Sequence, residues 1–317
     1  MLHFLTLPDR HKAIARYFKT WGSELRSRVR FHRFDALASA ADLADGTYIF
    51  ADVDRLSSAE QAHAQAIWER LAERGPAVRL LNDPGKCLRR YDLLRRLRAD
   101  GRNAFNVYRL DEIGPHLRFP VFLRLAERHT GALTPLLPDM ASLQAAIAKQ
   151  LAKGRQPEAL IAIEFVDTSE NGLFRKFAAT RIGDALIAYR VMYQRDWQVR
   201  GPPLAEPFMI EAERRYQAEN PHRAELLEVF RLANIEFGQI DYALLNGRIQ
   251  VWEINTNPHL IYAHDTDPPE QVAGWRALAA KLNDAFAAID DRGPRPGLAA
   301  RLARLTKRLS WRASSRG

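Results

Sequence analysis

Apolar and polar positions along the first hundred residues switch between two periods. Leu2 to Leu7 is a short apolar run that reads as a strand, and helical spacing through Ile14, Tyr17 and Phe18 follows. Thr47 to Ala51 repeats the strand pattern, and Ala59 to Arg74 is helical, with Ala62, Ala66, Ile67 and Leu71 on its apolar stripe. A third strand, Ala77 to Leu81, runs into the turn Asn82-Asp83-Pro84-Gly85, and a helix from Cys87 to Ala99 closes at Asp100-Gly101. Strand–helix alternation of this kind predicts a parallel sheet covered by helices.

The middle of the chain changes character. Val121-Phe122-Leu123 reads as a strand and Ala141 to Leu151 as a helix. Leu160 to Val166, Phe174 to Thr180 and Ala185 to Met192 then predict an antiparallel sheet. Helical patterns around Ala212 to Ala218 and Ala224 to Ala233 follow. The strand pair Phe237 to Leu245 and Arg248 to Asn255 comes next, before a long helix from Glu270 to Ile289. Arg292-Gly293-Pro294-Arg295-Pro296-Gly297 has linker composition. The expected organisation is an N-terminal α/β unit over 1–101, a larger α+β unit over 102–291, and a tail over 292–317.

Charge alters this picture at one place. The 317-residue chain carries 47 basic and 38 acidic residues, a formal charge of +9. Eight of the basic residues fall between Arg292 and Arg316, where no acid occurs, leaving 39 against 38 elsewhere. Any attraction to polyanions is therefore expected of the tail. There Leu298, Leu302, Leu305 and Leu309 form a helical stripe bordered by Arg301, Arg304, Lys307, Arg308 and Arg312, with Trp311 near its end. Residues 298–312 read as a basic amphipathic segment for a membrane surface or an acidic partner, or as a helix docked on the body. Specific nucleic-acid binding is not expected. The opening Met1-Leu2-His3-Phe4-Leu5-Thr6-Leu7-Pro8 lacks the basic start of a secretory signal. One cysteine, Cys87, rules out an intrachain disulfide. A cytoplasmic protein is expected, peripheral to a membrane if the tail binds one.

The chemistry concentrates in residues 238–258. Two apolar strands flank Asn246-Gly247, a strong hairpin signal, and polar residues interrupt them at Asp241, Glu253 and Asn255. A strict two-residue turn pairs Asp241 with Trp252 and leaves the two carboxylates on opposite faces. Shifting the register by one pairs Asp241 with Glu253, Tyr242 with Trp252, Ala243 with Val251 and Leu245 with Ile249. That register places like with like, so an odd-length loop or a bulge is expected. Two carboxylates and an amide oxygen on one face suit a hard cation such as Mg²⁺, with Mn²⁺ an alternative. Solvated acids near strand ends are the other reading of the same residues.

An Asp followed twelve residues later by Glu-Ile-Asn, and then by Pro258, resembles the metal-binding end of ATP-grasp enzymes, the superfamily of carboxylate–amine ligases. The resemblance runs in order over residues 80 to 260. It implies an ATP-grasp fold with a Rossmann-like domain before it, and binding of ATP with Mg²⁺ on Asp241, Glu253 and Asn255. Leu160 to Val166 is similar to the hinge strand that reads adenine, which implies nucleotide contacts from Glu164, Phe165 and Val166, and from Asp167 to the ribose. Asp167 beside Thr168 and Ser169 also reads as a turn residue. Arg124 and Arg90 stand where the family has phosphate-gripping lysines; guanidinium still grips phosphate, often bidentately. Lys176 is implied as a further phosphate contact, and Arg190 and Arg124 as catalytic cations.

One departure concerns the phosphate-covering loop. Residues Ala126-Glu127-Arg128-His129-Thr130-Gly131 hold one glycine where the family is glycine-rich, so Arg128 and His129 either hold phosphate or the loop has lost that role. The implied activity is ligation of a small carboxylate to an amine through an acyl phosphate. A phosphotransferase and a catalytically degenerate nucleotide-binding protein are the alternatives.

Overall fold

The computed structural model describes residues 1–36, 44–201, 203–261 and 269–290. Residues 292–317 lie outside these, so the amphipathic tail remains a sequence-based expectation. Three sheets organise the described chain. The first is parallel, with β1 (Leu2–Thr6), β2 (Val29–Arg33), β3 (Gly46–Phe50) and β4 (Val78–Leu81) in the order β2-β1-β3-β4. Helices α1 (Lys12–Thr20) and α2 (Ser58–Ala72) connect its strands. Every residue of β1 and β3 is buried, as expected of a parallel sheet covered on both faces. α2 starts at Ser57, whose hydroxyl accepts from the Glu60 backbone N–H while Glu60 reaches back to the Ser57 N–H.

The next helix, α3 (Arg90–Ala99), leaves the first sheet and buries Leu93, Leu94 and Leu97 under the other two. β5 (Val107–Arg109), β6 (Val121–Leu125) and β7 (Leu160–Glu164) form a three-stranded antiparallel sheet in the order β5-β7-β6, with α4 (Met140–Ala152) beside it. β8 (Phe174–Ile182), β9 (Ala185–Gln194), β10 (Phe237–Leu245) and β11 (Arg248–Asn255) form the other antiparallel sheet, ordered β11-β10-β8-β9. The sequence reading joined Leu160–Val166 to the two strands after it. Instead β7 pairs with β5 and β6, and the turn region between β7 and β8 passes the chain to a separate sheet. β2 and β5 were not expected; at five and three residues they carry too little periodicity to stand out.

One face of the β8–β11 sheet rests on α5 (Pro207–Glu219) and α6 (Arg223–Leu232), which bury Met209, Tyr216, Leu226 and Phe230 against Ile240, Tyr242 and Val251. Part of its other face meets α7 (Pro269–Asp290). That helix buries Trp275, Leu282 and Phe286 against β1, α1 and the β8–β9 pair, so the first sheet and this one share a core. The uncovered remainder of that face looks toward the β5–β7 sheet, and the candidate site lies between them.

Candidate nucleotide and metal site

The β10–β11 hairpin uses both registers that its sequence allows. At the tip, Asn246 and Gly247 both have positive φ (51° and 76°), the signature of a tight two-residue turn, and Leu245 pairs with Arg248. The strict register continues through Ala243–Gln250 and Tyr242–Val251, which corrects the expected Ala243–Val251, Leu245–Ile249 and Tyr242–Trp252 pairs. Trp252 is then an extra residue in β11, and beyond this bulge Asp241 pairs with Glu253, Ile240 with Ile254 and Gln239 with Asn255. A bulge re-aims the side chains after it. Without this one, Glu253 would sit on the α5–α6 side. With it, both carboxylates line one cavity.

That cavity is open to solvent and lies between the two antiparallel sheets. Its lining mixes aromatic and charged side chains: Trp197 lies 4.8 Å from the Phe122 ring and 5.8 Å from the Phe165 ring, and Trp252 stacks on Phe105 at 4.8 Å. Arg124, His129, Arg175, Lys176 and Arg200 line it with Asp241 and Glu253. Such cations can grip phosphate and such rings can stack on a base.

The two carboxylates are held differently. Asp241 pairs with Lys176 at 3.0 Å, and both remain partly exposed. Glu253 is surrounded: Oε2 accepts from Arg90 Nη2 at 2.5 Å and Arg124 Nη2 at 2.6 Å, and Oε1 lies 3.0 Å from His129 Nδ1. Burial alone would raise the Glu253 pKa, but Arg124, Arg90 and His129 together hold it well below the ordinary carboxylate range. Burial in turn pushes Arg124 down to about 10 against the pull of Glu253, which leaves it charged at neutral pH.

The loop at residues 126–131 is braced rather than loose. Arg90 Nη1 faces the carbonyls of Leu125, Ala126 and Arg128 at 2.7–3.0 Å, and Arg200 donates to the carbonyls of His129 and Thr130. Gly131 has φ +84°, and a Cβ there would collide with the Arg200 guanidinium. His129 also reaches the first sheet, its Nε2 lying 2.6 Å from Asp54 Oδ2 just beyond the carboxyl end of β3. The other oxygen of Asp54 accepts from the backbone and hydroxyl of Thr256. A chain of contacts thus runs from Thr256 through Asp54, His129 and Glu253 to Arg124.

Asp54 carries a prediction. Burial would raise its pKa, but the His129 and Thr256 hydrogen bonds with the nearby charges hold it at about 2. A carboxyl whose folded pKa is depressed stabilises the fold above its unfolded pKa, near 4, and that contribution is lost as pH falls toward 2. About 2 kcal/mol should disappear across this window. Urea unfolding of Asp54→Asn should show a shallower loss of stability between pH 4 and pH 2 than the wild type.

The other expected site residues divide by position. Phe165, Val166, Arg124 and Lys176 line the cavity. Glu164 does not: it is buried and binds Arg118, Tyr108 and the Asn106 backbone, and so holds the sheet together. Asp167 accepts from the Ser169 N–H at 2.9 Å, the turn geometry. Asn255 follows the carboxylates along β11, but its Oδ1 accepts from the Asn257 N–H. Arg90 touches Glu253 and the loop from beneath, outside the cavity lining. Arg190 faces a second cavity, its guanidinium 5.8 Å from the Trp275 ring centre. Cys87 is half-buried, its Sγ donates to the Asn234 carbonyl at 3.1 Å, and desolvation pushes its pKa well up.

Asp54, Trp197 and Arg200 were missing from the sequence reading. Asp54 had a signal, since acids just past the carboxyl end of a parallel strand sit where such sheets bind ligands. Trp197 and Arg200 belong to the long connection between β9 and α5, which has no periodicity to place it.

No family model matches the chain, and no curated protein matches its sequence significantly. Solved structures do match its fold. A D-alanine–D-alanine ligase from Bacillus anthracis complexed with ATP aligns over 92% of this chain and 99% of its own, with a TM-score of 0.51 and 12% identity. The corresponding ligase from Coxiella burnetii aligns over 100% and 99%, with a TM-score of 0.53 and 13% identity. The likeness is one of fold: the chain has the mixed α/β architecture of these ligases.

Proposed function

We propose that this protein is an ATP-dependent carboxylate–amine ligase. The observation that carries the reading is the cavity lining, in which the paired Asp241 and Glu253 are joined by Arg124, Lys176 and several aromatic side chains. The fold it shares with D-alanine–D-alanine ligases, one of them complexed with ATP, supports the choice of nucleotide and of reaction class. The base would sit among Phe122, Phe165 and Trp197, and the phosphates would meet Arg124, Lys176, His129 and Arg200.

The donor set fits a hard divalent cation in part. Asp241 and Glu253 supply two carboxylates on one face, and Asn255 follows two residue pairs along, opposite Gln239. Mg²⁺ takes one or two carboxylates and completes its shell with phosphate oxygens and water. Bound there, Mg²⁺ would neutralise charge on the β- and γ-phosphates.

Glu253 has a second part in this reading. Until nucleotide arrives, it is the anion that keeps Arg90, Arg124 and His129 assembled. Phosphate oxygens would take over Arg124 and His129, leaving the Glu253 carboxylate free for the metal. The γ-phosphoryl would pass to the substrate carboxylate, giving ADP and an acyl phosphate. An amine would then attack the acyl carbon and expel phosphate, losing one proton. Arg124 would stabilise the charge that develops, and no side-chain nucleophile is required.

A nucleotide-binding protein without turnover is the second reading, favoured by the braced loop at residues 126–131 and by the full occupation of Glu253. ADP release measured over pooled amino acids and small carboxylates separates the two. Ligation predicts ADP and phosphate with an amide product, lost in Asp241→Ala. A phosphorylated acceptor would instead mark a phosphotransferase. ATP binding with no ADP under any pool would leave only the second reading.

A further inference from the structure

Arg190 lines a second cavity, open to solvent, between the outer strand β9, the helix α5 and the start of α7. Met209, Glu213 and Gln217 of α5 recur every fourth position along it, and Gln271, Gly274 and Trp275 of α7 face them across it. The two cavities share no lining residue among those described.

Its donors are short of acceptors. The Arg190 guanidinium packs 5.8 Å from the Trp275 ring centre, and among the described residues no hydrogen bond or ion pair engages it. Trp275 is 3% exposed, and among the described residues its Nε1–H has no acceptor. A buried indole N–H and a guanidinium without acceptors in one lining call for an oxyanion. Arg214, the other cation of the lining, is exposed.

Glu213 decides what that anion must also carry. Because β9 is the outer strand, its Val191 N–H turns to a side chain, and Glu213 Oε2 accepts from it at 2.9 Å. Burial raises the Glu213 pKa against the pull of that N–H and of Arg190, so the carboxyl is short of positive charge. A plain carboxylate ligand would meet the Glu213 charge, whereas a ligand with an ammonium group would satisfy it. The rest of the wall is apolar: Val191, Leu204, Met209 and Ile210, the last 46% exposed.

We propose that this cavity binds an apolar α-amino acid as its zwitterion, the carboxylate on Arg190 and Trp275 Nε1 and the ammonium on Glu213. The site goes beyond the ligase reading and stands without it, since its residues are not those of the nucleotide cavity.

Titration calorimetry of the full chain with L-leucine and L-phenylalanine, with no ATP present, tests this independently of nucleotide binding. One site of millimolar or tighter affinity is expected. Isocaproate, which is leucine without its amine, and isoamylamine, which is leucine without its carboxylate, should each bind at least about tenfold more weakly. Arg190→Gln should weaken leucine binding about 30-fold, and Trp275→Phe, which keeps a ring but removes the donor, about fivefold. Glu213→Gln should reverse the ranking, so that isocaproate binds more tightly than leucine. Gly274 lines the cavity and a Cβ there meets nothing within 4 Å. Gly274→Leu should therefore fill the space and abolish leucine binding while raising the melting temperature, because leucine is the better helix former. Thermal melting checks that the other variants are folded. No binding by either amino acid, equal affinity of the wild type for leucine and isocaproate, or leucine binding unchanged in Arg190→Gln would each overturn the proposal.

Discussion

Arg124→Ala is expected to weaken ATP binding by about 100-fold. Arg124 sits near the end of β6, its side chain 14% exposed, and reaches the cavity with Nη2 on Glu253. A charge-assisted hydrogen bond is worth about 1.5–3 kcal/mol, which is roughly 10- to 150-fold in affinity. Removing the guanidinium also leaves Glu253 with one fewer cation, so its negative charge opposes incoming phosphate. The two effects have the same sign. Arg124→Lys keeps the charge but loses the planar fork and should fall between. Titration calorimetry with ATP, on protein whose melting temperature has been checked, gives the affinities. Equal affinity in wild type and Arg124→Ala would remove Arg124 from the phosphate site.

Glu253→Gln should act in two directions at once. In the absence of divalent metal, ATP should bind this variant about tenfold more tightly than wild type, because phosphate no longer competes with a carboxylate for Arg124 and His129. Stability should fall by about 3 kcal/mol, since breaking a buried ion cluster leaves its other members uncompensated. ATP should therefore raise the melting temperature of the variant more than that of the wild type, as a ligand that replaces a missing anion must. Mg²⁺-dependent ADP formation should drop despite the tighter binding. A variant that bound metal-free ATP more weakly than wild type would contradict the competition between Glu253 and phosphate.

Much of this site is readable from spacing alone. On β10 the apolar residues Ile240, Tyr242 and Leu244 recur every second position, whereas on β11 Ile249 and Val251 are followed by Ile254 after a gap of three. A gap of three within a period of two forces one extra residue, and Trp252 is that residue. The sequence reading expected the alignment of Asp241 with Glu253 but left an odd-length loop and a bulge both open and carried the shifted register to the tip; the bulge confines that shift to the residues beyond Trp252. The parallel first sheet was legible for a related reason: β1 and β3 are short, mostly apolar runs followed by helical spacing, as strands of a covered parallel sheet are.

What the pattern does not carry is partnership across long separations. Nothing in the spacing of residues 87–99 indicates that Arg90 turns inward to meet a carboxylate 163 residues later, or that His129 joins Asp54 to Glu253. Those contacts arise where three sheets converge. The same convergence places Arg190 on a neighbouring cavity, since β9 is the outer strand and Arg190 meets Trp275 of α7 rather than the cavity that Arg124 lines. The spacing likewise gives no sign that the Glu164 carboxylate, on the strand expected to offer its backbone to a nucleotide, is bonded to Arg118.

The most direct test of the nucleotide cavity is calorimetric titration of ATP into the full chain with and without Mg²⁺. One site is predicted, strengthened by Mg²⁺ in the wild type, with that strengthening lost in Asp241→Ala. Absence of binding at millimolar ATP in both conditions, or binding indifferent to Mg²⁺ in wild type and variant alike, would contradict the assignment of Asp241 and Glu253 to a metal-assisted nucleotide site.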